Sequence, residues 1–267
     1  MSRPINDMQL EDEGWRNYQH IKTDSLWLLN RDDTRPLNGF VGVNVPEIQR
    51  QLYERYTRRG DVVLDPFLGT GTSIYVAGEM GRRSIGIDID LSHFRWQEQR
   101  QKPIGQYAAI QADSTEMPAY VQISEVVLPL WGLGRPYIDF LFYHPPYADM
   151  VDYGDDPDNL SSKKGIDWFL DRWAAASFYG LNALKPGGWA ALVIADMYRD
   201  GKFIPLSHKM FDVMVEEGFI PKAEIIKNME DNEAGSGKNA NLKRYRSLLN
   251  GYFTFKHEKI YIFQKKG

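Results

Sequence analysis

Cysteine is absent from the 267 residues, which excludes a disulfide framework, a thiolate metal site and a thiol nucleophile. Long apolar runs are missing too. None approaches the roughly 20 residues that a membrane-spanning helix requires. The opening stretch Met1–Glu13 is polar and acidic, unlike a signal peptide, so the cytoplasm is the expected location. An excess of positive charge is also lacking: 32 Lys and Arg stand against 36 Asp and Glu, for a net charge of −4. Enzymes acting on nucleic acids usually carry a basic footprint, although clustering matters more than the sum. Basic residues do gather at Arg58/Arg59, at Arg82/Arg83 and along Lys238, Lys243, Arg244 and Arg246. Each cluster read alone is also compatible with a solvated surface. There are no internal repeats, and 43% hydrophobic residues suffice for one large core.

What is present is an alternation of short apolar strands and amphipathic helices. Pro46 followed by Ile48, Leu52 and Tyr56 has helical spacing, and Gly60-Asp61 ends it. Val62–Leu64 reads as a strand, residues 65–72 as a glycine turn, 73–81 as a helix, and Ser84–Ile87 as a second strand. That is a βαβ unit, which predicts a parallel sheet. Further strands are expected at Ala108–Gln111, Ile138–Tyr143, Trp189–Ala195, around 223–227 and at His257–Phe263. Helices are expected over 166–184, closing at Lys185-Pro186-Gly187-Gly188, and over 205–217. The fold class is α/β: a doubly wound, mostly parallel, seven-stranded Rossmann-like sheet with a late antiparallel strand. Residues 1–23 read as a loosely held extension. Residues 24–267 form one domain carrying small insertions at 114–137, 148–164 and 229–251.

Ligands of such sheets bind beyond the carboxyl ends of the strands. There the run Asp65-Pro66-Phe67-Leu68-Gly69-Thr70-Gly71-Thr72 lets backbone approach a ligand at Gly69 and Gly71. Asp88, with Ile89 beside it, ends the second strand 23 residues later and can accept both hydroxyls of a ribose. Asp113, after the third, can accept from an adenine amino group. A nicotinamide or flavin site uses similar parts. This turn lacks the third glycine of that pattern, and a carboxylate at 65 suits a sulfonium and an ammonium better than a pyrophosphate.

His144-Pro145-Pro146-Tyr147 follows the fourth strand. Two prolines fix two backbone torsions and remove two donors, giving a stiff loop that offers carbonyls and two side chains. Acceptors placed on the N–H groups of an exocyclic base amine would free its delocalised lone pair for attack on a methyl group. Tyr147 offers a face on which a flipped base can stack. The same residues would also serve as a simple strand-ending turn.

Together LDPFLGTGT, Asp88, Asp113, HPPY and the closing YFTFKHEKIYIFQK resemble the bacterial DNA amino-methyltransferases, which make N6-methyladenine or N4-methylcytosine from S-adenosylmethionine. The resemblance covers roughly residues 24–265. It implies a cofactor set of Trp27, Asp65, Pro66, Phe67, Gly69, Gly71, Thr72, Asp88, Ile89 and Asp113, with Phe40–Pro46 as a further wall. It implies a catalytic set of His144, Pro145, Pro146 and Tyr147, and the setting of restriction–modification. His144 departs from the family's Asp, Asn or Ser. A histidine accepts only when neutral and through one nitrogen, so activity should fall as pH drops through its pKa. Alternatively, the Pro145 carbonyl carries the polarisation, or the protein binds without catalysing. The missing acid at 144 leans towards cytosine.

Only 37 residues lie between Tyr147 and Lys185, too few for a separate recognition domain. Two smaller candidates for contacting DNA remain: Ala148–Lys164, with its Ser-Ser-Lys-Lys patch, and Met229–Gly251, whose basic residues Lys238, Lys243, Arg244 and Arg246 flank Tyr245. A specificity partner or a homodimer is the other route to recognition. The expected partner is DNA, with RNA amino-methylation and a non-catalytic binding subunit as alternatives. Neither a metal nor a membrane is expected.

Overall fold

A computed structural model describes residues 5–30, 40, 42–150, 158–229 and 240–267. In chain order the strands are β1 (Leu26–Trp27), β2 (Val62–Asp65), β3 (Arg83–Asp88), β4 (Tyr107–Gln111), β5 (Ile138–Tyr143), β6 (Leu184–Ile194), β7 (Met197–Arg199), β8 (Lys202–Ile204), β9 (Phe219–Asn228) and β10 (His257–Lys265). The helices are α1 (Pro46–Tyr56), α2 (Thr72–Glu79), α3 (Ser92–Arg100), α4 (Met117–Gln122), α5 (Leu128–Leu130), α6 (Ile166–Ala183), α7 (Leu206–Glu216) and α8 (Ala240–Asn250). One π-helical turn, Ile123–Val127, joins α4 to α5.

Eight strands form the main sheet in the order β1-β9-β10-β6-β5-β2-β3-β4. The expected α/β architecture is present, but the count of seven is corrected to eight. The extra strand is β1, which pairs parallel to β9 at Leu26↔Ile226 and Trp27↔Lys227. Two residues carry no readable periodicity, so only the pairing reveals them. β10 runs antiparallel to both its neighbours, β6 and β9, while the remaining ladders are parallel. A second, two-stranded sheet is the hairpin β7–β8.

Alternate strand residues enter opposite cores, as the period of two requires. Leu64, Leu192, Tyr261 and Phe263 face α6 and α7, together with Ala119, Tyr120 and Leu128 of the 114–137 segment. Val63, Val193, Ile260 and Ile262 face α1 and α2. The end of the 1–23 segment, at His20 and Lys22, is bonded to α1. Gln51 Nε2 donates to the His20 carbonyl at 2.8 Å, and Arg55 Nη1 to that of Lys22 at 2.9 Å.

Lys185–Gly188, expected to close a helix before a strand, lies inside β6. Leu184 pairs with Ile138 and Trp189 with Phe140, so the four residues between them bulge opposite Asp139. Lys185 Nζ binds the buried Asp139 carboxylate at 2.7 Å and fixes the bulge.

The end of β5 is locked onto α6. Tyr143 donates its hydroxyl to the Ala176 carbonyl at 2.9 Å. A Cβ on Gly180 would stand 1.9 Å from that hydroxyl oxygen. Gly180→Ala is therefore expected to push Tyr143, and the loop after it, out of place at a cost of about 1–3 kcal/mol. Urea denaturation checks this as a lowered midpoint at unchanged m-value.

Candidate active site

From β2 the chain continues through α2 to β3 and β4 on one side, then crosses back to β5 on the other side of β2. The topological switch point thus lies between the carboxyl ends of β2 and β5, where doubly wound sheets open a crevice. Leu64↔Leu141 pairing brings Asp65 and the glycine turn out beside His144 and its two prolines.

Asp65 is buried. Its Oδ2 accepts from Ser73 Oγ at 2.5 Å and its Oδ1 from the Phe67 N–H at 3.0 Å. Burial raises its pKa to about 7, against the lowering effect of those two bonds. The turn then folds over β3: Leu68 N–H donates to the Ile87 carbonyl at 2.9 Å, and Gly69 N–H to Asp88 Oδ2 at 2.7 Å. Asp88 Oδ1 accepts from the Asp90 N–H at 3.1 Å, and the Ile89 N–H also stabilises the ionised carboxylate, which keeps acceptor capacity for a ligand hydroxyl. Burial also raises Asp88, to about 6.

Gly69 and Gly71 have φ of +53° and +87°, and a Cβ at 71 would stand 2.4 Å from the Phe94 ring. The glycines are required by backbone conformation and by packing. Thr72 is buried at the start of α2, behind Gly71, and Pro66 is buried next to Asp65. Phe67 lies tilted between Tyr143 and Trp173, at 6.2 and 6.3 Å between ring centroids. It spans the gap from the turn to the end of β5. Ile89 is half-buried beside Asp88.

Two cofactor candidates sit differently from expectation. Trp27 is 3% exposed, packed in the core against α1, with its indole N–H on the Asp24 carbonyl at 3.0 Å. The wall over the turn comes instead from Phe40, whose ring is 3.1 Å from a Cβ built on Gly69 and 4.7 Å from the His93 ring. Asp113 is occupied by protein donors. Its Oδ1 accepts from Thr115 N–H and Oγ1, at 2.8 and 2.7 Å, while its Oδ2 is bound by Arg172 of α6. One lone pair of Oδ2 remains.

Asn44 Nδ2, Gln49 Oε1 and Tyr53 Oη are buried without a protein partner, on α1 and the segment leading into it. Such orphans are uncommon in protein interiors. The negative field of Asp65 reaches Tyr53 and, after burial, adds to the rise of its pKa. Unsatisfied polar atoms on α1, two acids with spare lone pairs and a glycine turn open to a ligand fit a polar nucleoside carrying positive charge.

At the loop after β5, His144 Nε2 is 3.3 Å from Tyr147 Oη, with the rings edge to face at 5.8 Å. Tyr147 donates its hydroxyl to Glu258 Oε2 at 2.9 Å, and Glu258 Oε1 binds Lys227 Nζ at 2.9 Å. Burial lowers the His144 pKa to about 4, with Glu258 acting to raise it and Lys227 to lower it. His144 is neutral near pH 7 and can accept. Pro145 is buried, and Pro146 is half-buried beside it.

Sequence reasoning missed Glu258 and Lys227. One signal was available. An antiparallel β10 brings its first residues, not its last, to the ligand edge, and Glu258 shares a strand face with the core residues Ile260 and Ile262. Ser73 and Arg172 were missed as well, since nothing local marks them.

The nucleic-acid candidates are only partly visible. Lys238 lies outside the described residues, as do the side chains of Lys243 and Arg246. Arg244 is exposed on α8, where a loop was expected. After α8, Tyr252 and Phe255 pack on Tyr198 of β7, the latter stacked at 5.2 Å and 25°. Among the described residues no cluster of acids or histidines is arranged to hold a metal, and no helix is long and apolar enough to cross a membrane.

Residues 43–99 match the model of a family described as DNA methylase. The type II methyltransferase M.MjaI of Methanocaldococcus jannaschii is 54% identical over 46 residues, which are 17% of this chain and 15% of that protein. The tRNA (guanine(10)-N(2))-methyltransferase TRMT11 of Dictyostelium discoideum is 46% identical over 41 residues, 15% of this chain and 8% of that protein. The matched stretches thus span a small fraction of either relative. Among solved structures, a SAM-dependent methyltransferase of Methanosarcina mazei aligns with a TM-score of 0.50 at 15% identity, covering 80% of this chain and 97% of that one. That likeness is one of fold.

Proposed function

From the match of residues 43–99 to the DNA methylase family model, we propose that this chain transfers a methyl group from S-adenosylmethionine to the exocyclic amine of a flipped base in DNA, adenine N6 or cytosine N4. One observation carries the reading: the glycine turn of β2 and a loop holding a neutral histidine meet at the sheet's switch point. S-Adenosylmethionine supplies an electrophilic methyl group on a sulfonium. Asp65 holds its cationic amino-acid end, Asp88 its ribose hydroxyls, and Ile89 and the spare lone pair of Asp113 its adenine. Asn44, Gln49 and Tyr53 offer it their unpaired polar atoms.

His144 accepts an N–H of the target amine and draws its lone pair out of conjugation, which makes the nitrogen nucleophilic towards the sulfonium methyl that S-adenosylmethionine would supply. Once methylated, the amine loses its extra proton to solvent. Tyr147 stacks on the base, an interaction worth about 1–3 kcal/mol, and flipping delivers the base. Specificity rests with the 229–251 segment, a partner subunit or a second copy.

The tRNA relative supports a second reading, amino-methylation of RNA. Labelled S-adenosylmethionine offered with duplex DNA and, separately, with total RNA discriminates them. Label is expected in DNA. Label in RNA alone would replace the DNA reading.

A further inference from the structure

Two charged side chains are buried at the crevice edge. Lys227 of β9 and Glu258 of β10 are 5% exposed each and face one another across the ladder. A buried ion pair is seldom favoured for stability, because desolvating both charges offsets their attraction. Here the pair has a directed use. Glu258 spends Oε1 on Lys227 and presents Oε2 to the Tyr147 hydroxyl. An ionised carboxylate only accepts, so the single phenolic proton points to it. The Tyr147 oxygen then faces His144 Nε2 with a lone pair, and the bond at 3.3 Å requires the proton to sit on Nε2.

We propose that Glu258, fixed by Lys227, is a positioning residue that orients the Tyr147 hydroxyl and thereby holds His144 in its Nε2–H form, leaving Nδ1 as the acceptor for the target amine. This rests on the function proposed above, and it explains how a histidine can accept where such a loop usually carries Asp, Asn or Ser. A free imidazole divides between two tautomers, one of which turns a donor towards the incoming amine. The relay from Lys227 through Glu258 and Tyr147 removes that choice.

The test is spectroscopic and needs no turnover. The full-length chain is labelled with ¹⁵N-histidine, and the His144 resonances are assigned by their loss in His144→Gln. Wild type is expected to show a protonated Nε2 and an unprotonated Nδ1 at pH 7.5. Tyr147→Phe, which leaves the ion pair intact, is expected to abolish the single tautomer. The double variant Lys227→Met/Glu258→Leu, which removes both charges together, should do the same. Glu258→Gln has one amide oxygen, which the Lys227 ammonium takes; its NH2 then faces Tyr147, frees the phenolic proton to turn towards Nε2, and is expected to move the imidazole proton to Nδ1. With a methylatable DNA, turnover in Tyr147→Phe and in the double variant is expected to fall about tenfold or more, with affinity for S-adenosylhomocysteine unchanged. A wild-type His144 protonated on Nδ1, or a tautomer indifferent to Tyr147→Phe, overturns the proposal. Should the double variant not fold, Tyr147→Phe alone decides it. Absence of methylation with any nucleic acid would overturn the function and leave the tautomer result standing.

Discussion

His144→Ala is expected to lower methyl transfer by about 10²–10⁴-fold while leaving affinity for S-adenosylhomocysteine within about twofold. The separation follows from the architecture: the proposed cofactor acids, Asp65 and Asp88, sit on β2 and β3, and His144 sits on the loop after β5. Single-turnover rates and calorimetry on the same preparation measure the two effects. His144→Asn, whose amide oxygen accepts in any protonation state, should recover part of the rate. A group with an ordinary histidine pKa of 6.5 would impose a decline in activity between pH 7 and 5.5. Burial has moved His144 down to about 4, so at saturating cofactor this residue should leave the rate level from pH 8 to 5.5. The acid limb that the sequence implies is thus displaced below the range in which it would normally be sought. A midpoint near 6.5, lost in His144→Asn, would show that His144 is solvated.

Cofactor affinity is expected to behave in the opposite way. Without ligand, Asp65 titrates near 7 and Asp88 near 6, both raised first of all by burial. An ammonium and two ribose hydroxyls stabilise only the ionised carboxylates. Binding must therefore expel protons wherever the free protein holds them, which is below pH 7. Each group weakens binding up to tenfold per pH unit below its own pKa, so the two together predict a Kd on the order of a hundredfold weaker at pH 5.5 than at pH 8. Calorimetry with S-adenosylhomocysteine, repeated in two buffers of different ionisation enthalpy, reads both the loss of affinity and the released protons. Asp65→Asn should bind weakly at every pH and lose most of the slope. A Kd constant across this range would mean that neither carboxylate meets the ligand.

The site was legible in the sequence where chemistry and punctuation coincide. LDPFLGTGT shows an apolar strand, an acid at its end and two glycines whose φ the turn requires, so strand, turn and helix are all readable there. HPPY is equally visible because two prolines allow little else. What could not be read depends on residues distant in sequence. Glu258 reaches Tyr147 across 111 positions, and Lys227 becomes its partner only through the antiparallel register of β9 and β10. Arg172 of α6 meets Asp113, two residues past β4, across 59 positions. The bulge of Lys185–Gly188 misled through its Pro-Gly-Gly, which signals a turn but here loops out of a strand held by Leu184 and Trp189. Trp27, a ligand wall by resemblance, is 3% exposed and packs against α1, which no local pattern in the sequence signals.

The central claim is transfer of a methyl group to a base amine at the junction of the glycine turn and the His144 loop. Nucleoside mass spectrometry on DNA from cells expressing the protein tests it most directly, with His144→Ala in parallel. The account predicts N6-methyladenine or N4-methylcytosine above the level of non-expressing cells, and its disappearance in the variant. Unmodified DNA, or a modification that persists without His144, would contradict it.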